Sequence, residues 1–387
     1  MLPVRRLPPR AALLAALLLF PLHAAAQAPS RDAAIDSLRA RLRRDVAADD
    51  VGGITAAIVL GDRVIWAEGF GWADRERHVP AAVGTLYRIG SISKSITAAA
   101  MMRLAERRVL ALDDPVTRWL PEAGGFPRRF PGAPPITLRN LASHTAGLAR
   151  EPHLADAAAG PIAGWEAKVV ASIPTTDVDT LPGARFAYSN IGFGVLGLAI
   201  SRAAHRPFME LVRDEVFTPL GMSHTTFVVP PALLPDLATG YANGRDGSVD
   251  VATPAREQLG RGYKVPNGGV YSTVLDLARF LAGMSAPGDA GFLTAASRAE
   301  MTRPQTPPGR EDAYGLGFFL RATTGGRRLV AHSGSVAGYT AYVAFDPASR
   351  AGIVLLRNYD RGRTDLAKVA DAALLALDAR PAAAATP

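Results

Sequence analysis

A serine and a lysine three residues apart, Ser91-Ile92-Ser93-Lys94, follow Gly90 where a helical stretch opens and runs to about Arg108. Three residues make nearly one helical turn, so the two side chains lie on one face. A hydroxyl there faces the positive end of the helix dipole, which favours a developing oxyanion. A cation in the first turn is electrostatically unfavourable. A lysine that is partly neutral at working pH is one answer to that conflict, and it could act on the serine proton as nucleophilic catalysis requires. Only four of the 43 basic residues are lysine: Lys94, Lys168, Lys264 and Lys368. Lysine can give up its proton where arginine cannot, so a lysine kept in such a chain fits a site that needs a neutral amine. Ser93 and Ser95 read as helix hydroxyls rather than nucleophiles.

Two further groups carry chemistry. Tyr188-Ser189-Asn190 precedes a helix that starts near Ile191. A tyrosine beside an ammonium can have its phenol pKa lowered enough to act as a base, and Asn190 offers a donor and an acceptor to orient Lys94 or a substrate amide. His332-Ser333-Gly334 closes a predicted strand, and Ser335 follows. A strand edge beside the nucleophile can supply an N–H to an oxyanion and pair with an extended substrate, and Gly334 permits close approach to the backbone. There is no cysteine, which excludes disulfides, iron–sulfur clusters and thiolate zinc sites. No two histidines have H-x-x-x-H spacing, so neither metal nor cofactor is expected. The sequence has no G-x-S-x-G elbow and no P-loop, which removes the α/β-hydrolase and NTPase readings.

These residues need a scaffold. Ser30 can cap a helix over about 31–46, and 53–60 and 63–71 read as strands joined at Gly61-Asp62. From 91 to about 304 the pattern is mostly helical, with helices predicted at 137–143, 190–204, 207–216 and 273–284. Strands are predicted again at 314–322, 327–332, 339–346 and 352–357, then a helix over about 364–378. The fold class is therefore mixed α/β (α+β): one antiparallel sheet made from both chain ends, flanked by the terminal helices, with a mostly helical domain inserted. The expected division is 27–90 with 305–380 for the sheet and 91–304 for the helices. The chain of 387 residues is 48% hydrophobic and carries a formal charge of +8. Residues 1–26 read as a secretory signal peptide, with Arg5, Arg6 and Arg10, an apolar run over Ala11–Leu22, and a small-residue cleavage site at Ala24–Ala26. Without those three arginines the charge is a modest +5, weak for a nucleic-acid binder. No apolar run is long enough to span a bilayer. The tail at 381–387 is expected to be disordered.

The order Ser-x-x-Lys, Tyr-x-Asn, His-x-Gly resembles the serine penicillin-recognising hydrolases. The branch is that of class C β-lactamases, serine D-Ala-D-Ala carboxypeptidases, D-aminopeptidases and β-lactamase-like esterases. Arg88-Ile89-Gly90-Ser91, the stretch Thr137–Leu148, Pro219–Met222, Gly268–Thr273 with Asp276-Leu277-Ala278, and Tyr314–Gly317 are similar to the same branch. The resemblance spans about 35–378 and implies a β-lactamase/transpeptidase-like fold. It makes Ser91 the acylated nucleophile, with Lys94 assisting its deprotonation and Tyr188 carrying the proton to the leaving group or serving as the base for the deacylating water. Lys94 and Tyr188 are expected to titrate as a pair, and which takes the first proton stays open. It assigns Asn190 to the substrate amide and to Lys94, His332, Ser333 and Gly334 to the substrate or leaving group, and the N–H groups of Ser91 and Ser335 to the oxyanion. Class C β-lactamases read Tyr-Ala-Asn and Lys-Thr-Gly. Histidine at 332 holds positive charge only when protonated, so poor β-lactam turnover is expected. The implied partner is a D-amino-acid peptide (a peptidoglycan fragment among them), a β-lactam or a short ester, met in the periplasm or outside the cell. The alternative is a penicillin-binding sensor that acylates without efficient turnover. Oligomeric state is left open.

Overall fold

Ser30 accepts a hydrogen bond from the Ala33 N–H (3.2 Å) and starts the first helix, α1 (Arg31–Asp49). Ala34, Ile35, Leu38, Leu42 and Val46 recur at helical spacing and form its buried face. β1 (Gly53–Leu60) and β2 (Arg63–Asp74) follow as a hairpin, with Leu60 opposite Arg63 across Gly61-Asp62. In the computed structural model the described residues are 30–127, 129–244, 246–289, 291–308, 313–323 and 326–377. The expected signal peptide (1–26) and C-terminal tail (381–387) lie outside them.

The sheet has eight antiparallel strands. After β1 and β2 come β3 (Val79–Pro80), β4 (Ala313–Tyr314), β5 (Phe319–Ala322), β6 (Arg328–Val336), β7 (Tyr339–Asp346) and β8 (Ala351–Arg357). Their order across the sheet is β3-β2-β1-β8-β7-β6-β5-β4. The first long strand thus pairs with the last, from Ile54 opposite Arg357 to Leu60 opposite Ala351, which closes the sheet from the two ends of the chain. Alternation sorts the strand residues between two cores. Ile54, Ala56, Ile58, Leu329, Ala331, Ile353 and Leu355 pack under α1 and the last helix, α6 (Leu366–Leu377). Ala57, Val59, Val330, Val343, Val354 and Leu356 face the inserted helices. Leu42 is fully buried between these terminal helices and the sheet. Its truncation to Ala would cost about 2–5 kcal/mol.

Between β3 and β4 the helices that matter for the site are α2 (Ser93–Glu106), α3 (Leu138–Ala142), α4 (Asn190–Ala203) and α5 (Val274–Met284). Thr137, Ser189 and Thr273 cap the last three through their hydroxyls. Sheet and helices share one core, and the described residues fall in one compact unit by their contacts. Among the described residues, no helix is long and apolar enough to cross a membrane.

Three elements differ from expectation. The stretch 314–322 is two short strands rather than one, because the chain turns at Gly315–Phe318 so that Tyr314 pairs with Phe319. The helix expected at 207–216 is α-helical only over Phe208–Val212 and then widens into a π turn, Arg213–Phe217. The strand expected to end at His332 continues to Val336: Ser333, Gly334 and Ser335 pair with Tyr342, Ala341 and Thr340. Small polar residues there look like a turn, yet they keep the alternation of a strand whose one face is exposed.

Candidate active site

Gly90–Ile92 is a tight 3₁₀ turn that runs straight into α2. Two neighbouring ladders bring its partners close. Tyr87–Arg88 pairs with Tyr271–Ser272, and the Ile89 N–H donates to Val270 O (3.1 Å), so the segment 267–271 lies alongside the turn. The Ser93 hydroxyl donates to Gly90 O (2.7 Å) and accepts from the Val270 N–H (3.2 Å), while Ser95 donates to Gly317 O (2.6 Å). Both hydroxyls are therefore committed to backbone, as helix hydroxyls should be. Ser91 is only half-buried, and its hydroxyl meets Lys94 rather than backbone.

Lys94 is completely buried. Its Nζ lies 3.0 Å from Ser91 Oγ and donates to the Asn267 carbonyl (3.1 Å). It also sits 4.8 Å from the centre of the Tyr188 ring and 5.8 Å from that of Phe193. Burial holds the ammonium well below the usual lysine range; Arg150, and then Lys264 and Arg261, push the same way, against Glu151. A neutral amine in hydrogen-bond reach of a serine hydroxyl can accept its proton.

The motif pattern predicts a lowered phenol pKa for Tyr188. The opposite holds: burial pushes it up to about 12, although its hydrogen bond with Ser91 and the Arg150 charge work the other way. A phenol that keeps its proton suits a donor rather than a base. Its ring is fixed by His144, whose imidazole lies 4.1 Å away and is itself 4.8 Å from Tyr314. His144 Nδ1 accepts the Ser189 N–H (3.0 Å), which locks the turn between Tyr188 and α4. Its burial holds the imidazole neutral, well below the ordinary histidine value.

Asn190 opens α4; its amide nitrogen donates to Glu151 Oε1 (2.6 Å), and the hydrogen bonds of Lys94 Nζ go to Ser91 and Asn267 rather than to the Asn190 amide oxygen. The Asn267 carbonyl takes that place beside the lysine. Glu151 is a hub: Lys264 Nζ reaches the same oxygen (3.2 Å), and the Tyr263 hydroxyl donates to the other. These donors hold the Glu151 carboxyl below its usual range despite burial. Arg150, next in the chain, lays its guanidinium 4.9 Å from the centre of the Tyr188 ring. Glu151, Arg150, Tyr263, Lys264 and Asn267 have no local sequence signal; they reach the site only through long-range contacts.

Across the cleft, β5 pairs with β6 only as far as Ala331, so the far edge of β6 is open beside Gly90. Gly90 has φ +52°, and a Cβ there would lie 2.7 Å from Ser335 N. Gly334 likewise abuts the Ile89 carbonyl with no room for a side chain. Glycine at both positions lets the backbones of Ser91 and Ser335 converge, the arrangement an oxyanion hole needs. The side chains of this motif divide by strand parity. Those of Ser333 and Ser335 are exposed, whereas His332 is 1% exposed. Its Nε2 lies 3.0 Å from the Tyr314 hydroxyl and its Nδ1 2.7 Å from Ser333 O. Burial, then the Lys94 charge, lowers its pKa to about 3. The His332 side chain is thus a buried neutral member of the aromatic wall behind Tyr188, on the opposite face of the strand from Ser333 and Ser335. Among the described residues, no group of three or more His, Asp or Glu is arranged to hold a metal ion.

The Beta-lactamase family model matches residues 38–378. The chain belongs to the Beta-lactamase family. Among relatives of this family member, it is 27% identical over 313 residues to the D-alanyl-D-alanine-carboxypeptidase/endopeptidase AmpH of Escherichia coli K12, covering 78% of this chain and 77% of AmpH. It is 28% identical over 272 residues to protein Rv1367c of Mycobacterium tuberculosis, covering 64% of this chain and 65% of that protein. The octameric penicillin-binding protein homologue from Pyrococcus abyssi superposes with a TM-score of 0.73 at 27% identity, covering 89% of this chain and 77% of that one. A class C beta lactamase superposes equally well, TM-score 0.73, at 20% identity, over 90% of this chain and 99% of that one. The mixed α/β fold with its large antiparallel sheet is thus the fold of this family.

Proposed function

We propose that this Beta-lactamase-family protein is an exported serine hydrolase that opens an amide or ester through an acyl-enzyme on Ser91, with D-amino-acid peptides as its leading substrate class. The observation that carries the reading is the buried Lys94 amine 3.0 Å from Ser91 Oγ, with its proton affinity lowered by burial. In this reading neutral Lys94 takes the Ser91 proton as Oγ attacks the substrate carbonyl. The oxyanion is held by the Ser91 and Ser335 N–H groups. Tyr188, protonated and in contact with Ser91, gives its proton to the leaving group and is reprotonated by Lys94; the neutral amine then takes a proton from the attacking water and returns it to Ser91 Oγ as the acyl bond breaks. The open edge of β6 pairs with an extended acyl chain.

Likeness to AmpH supports a D-peptide substrate. The neutral His332 supports weak β-lactam turnover, because no fixed cation stands at the third motif. Export rests on the charged and apolar pattern of residues 1–26. A substrate panel tests the whole: a D-Ala-D-Ala peptide, a D-amino-acid amide, 4-nitrophenyl acetate and nitrocefin, each with wild type and Ser91→Ala. The expected result is Ser91-dependent release of D-alanine, with slow nitrocefin turnover. Rapid nitrocefin hydrolysis with no peptide cleavage would make the protein a β-lactamase instead.

A further inference from the structure

Four cations besides Lys94 surround the candidate nucleophile, and three of them are spoken for. Arg88 is buried one turn before Ser91 and pairs with Glu257 (3.1 Å). Arg261, whose Nη1 would lie 3.3 Å from a side chain added at Gly268, pairs with the same carboxylate (3.1 Å). Lys264 pairs with Glu151 (3.2 Å), whose other oxygen is held by Tyr263. Arg150 is different. It is exposed beside the Tyr188 ring, and among the described residues no carboxylate lies within ion-pair distance of it.

Arg150 is nevertheless held in place. Its carbonyl accepts the Asn190 N–H (2.9 Å), which ties its backbone to the start of α4. Its guanidinium rests 4.9 Å from the centre of the Tyr188 ring, the residue that touches Ser91. Four cations therefore face two carboxylates, Glu151 and Glu257, and the uncompensated charge is concentrated on Arg150, the one exposed residue of the four. The residue that would hold a fixed charge in the third motif is instead a buried neutral histidine.

We propose that Arg150 is a specificity-determining residue: it grips a carboxylate of the substrate and so selects anionic over neutral acyl donors. This deepens the serine-hydrolase reading and rests on it. A guanidinium is planar, permanently charged and able to bind a carboxylate through two parallel N–H bonds, which a histidine of ordinary pKa cannot do at neutral pH. The carboxylate can belong to the acyl half or to the leaving half of the substrate, and the test separates the two.

Four esters serve as probes: 4-nitrophenyl acetate (neutral), mono-4-nitrophenyl glutarate (carboxylate in the acyl half), 4-acetoxybenzoate (carboxylate in the leaving half) and its neutral methyl ester. The quantity read is the ratio of kcat/KM for each anionic ester to that for the neutral ester with the matching leaving group. Any effect of Arg150 on Tyr188 then falls on both members of a pair and cancels in the ratio. Arg150→Gln should lower one ratio by roughly tenfold or more, and the arm that falls names the half that carries the carboxylate. Arg150→Lys should recover only part of it, as a point charge without the fork. The exposed Arg63→Gln on β2 is the control and should leave both ratios unchanged. Raising ionic strength should lower the affected wild-type ratio as well. If both ratios are unchanged in Arg150→Gln while the neutral ester is still turned over through Ser91, the proposal fails alone. If no ester shows Ser91-dependent turnover, the hydrolase reading fails and takes the proposal with it.

Discussion

Replacing Lys94 by arginine separates two roles that a cation beside a serine could play. The Lys94 Nζ is 3.0 Å from Ser91 Oγ in a fully buried position. If its work were to hold positive charge against a serine alkoxide, that charge would be worth about 5 kcal/mol at an effective dielectric of ~20. Arginine would then restore most of the rate. If its work is to accept the proton, arginine cannot do it, and loss of a positioned general base costs roughly 10²–10⁴-fold, or about 3–5 kcal/mol. The lowered proton affinity of Lys94 favours the second role. We expect Lys94→Arg and Lys94→Ala to be slowed to within about tenfold of each other. The assay is the second-order rate of Ser91 modification by a fluorophosphonate, alongside kcat/KM for 4-nitrophenyl acetate. Thermal melts by circular dichroism exclude unfolding as the cause. Lys94→Arg that acylates within about tenfold of wild type would refute the general-base argument.

Other perturbations probe the same site. Glu151 raises and Arg150 lowers the proton affinity of Lys94. The ascending limb of the pH–rate profile should therefore move to lower pH in Glu151→Gln and to higher pH in Arg150→Gln; shifts in the same direction would exclude electrostatic control of Lys94. Gly90→Ala puts a Cβ 2.7 Å from Ser335 N at a φ of +52°; acylation should fall by roughly 10²-fold or more with the loss of oxyanion alignment, measured by the same labelling rate. His332 takes its proton near pH 6.5 when unfolded but only near 3 when folded. The unfolded chain thus binds more protons between those values, and stability falls as pH drops below about 6.5. Urea melts at pH 7 and 4.5 should show roughly 2–3 kcal/mol less of that fall in His332→Asn. An unchanged fall would mean that His332 is not held neutral by the fold.

Local rules suffice for reading the sequence where one element supplies the whole signal. Ser91 and Lys94 share a helix face, Ser30 caps α1, and the alternation in 53–60 and 352–357 marks strands whose pairing closes the sheet. Parity is harder to read at the third motif. With the strand taken to end at His332, nothing forces a choice of face; the pairing through Val336 puts His332 inward and Ser333 outward. The Tyr188 phenol misleads because a neighbouring ammonium is visible in the motif pattern, whereas the burial that outweighs it comes from His144, Phe319 and other distant rings. Glu151 is hidden for the same reason: it meets Asn190, Tyr263 and Lys264 across 39 to 113 residues of chain, a separation that leaves no periodicity to detect.

Covalent capture of the nucleophile tests the acyl-enzyme directly. The full-length protein is treated with a fluorophosphonate and, separately, with a fluorescent penicillin, then digested and sequenced by mass spectrometry, with Ser91→Ala as the blank. The adduct should map to Ser91, disappear in Ser91→Ala and form far more slowly in Lys94→Arg. An adduct on another residue, or labelling that persists in Ser91→Ala, would contradict the account.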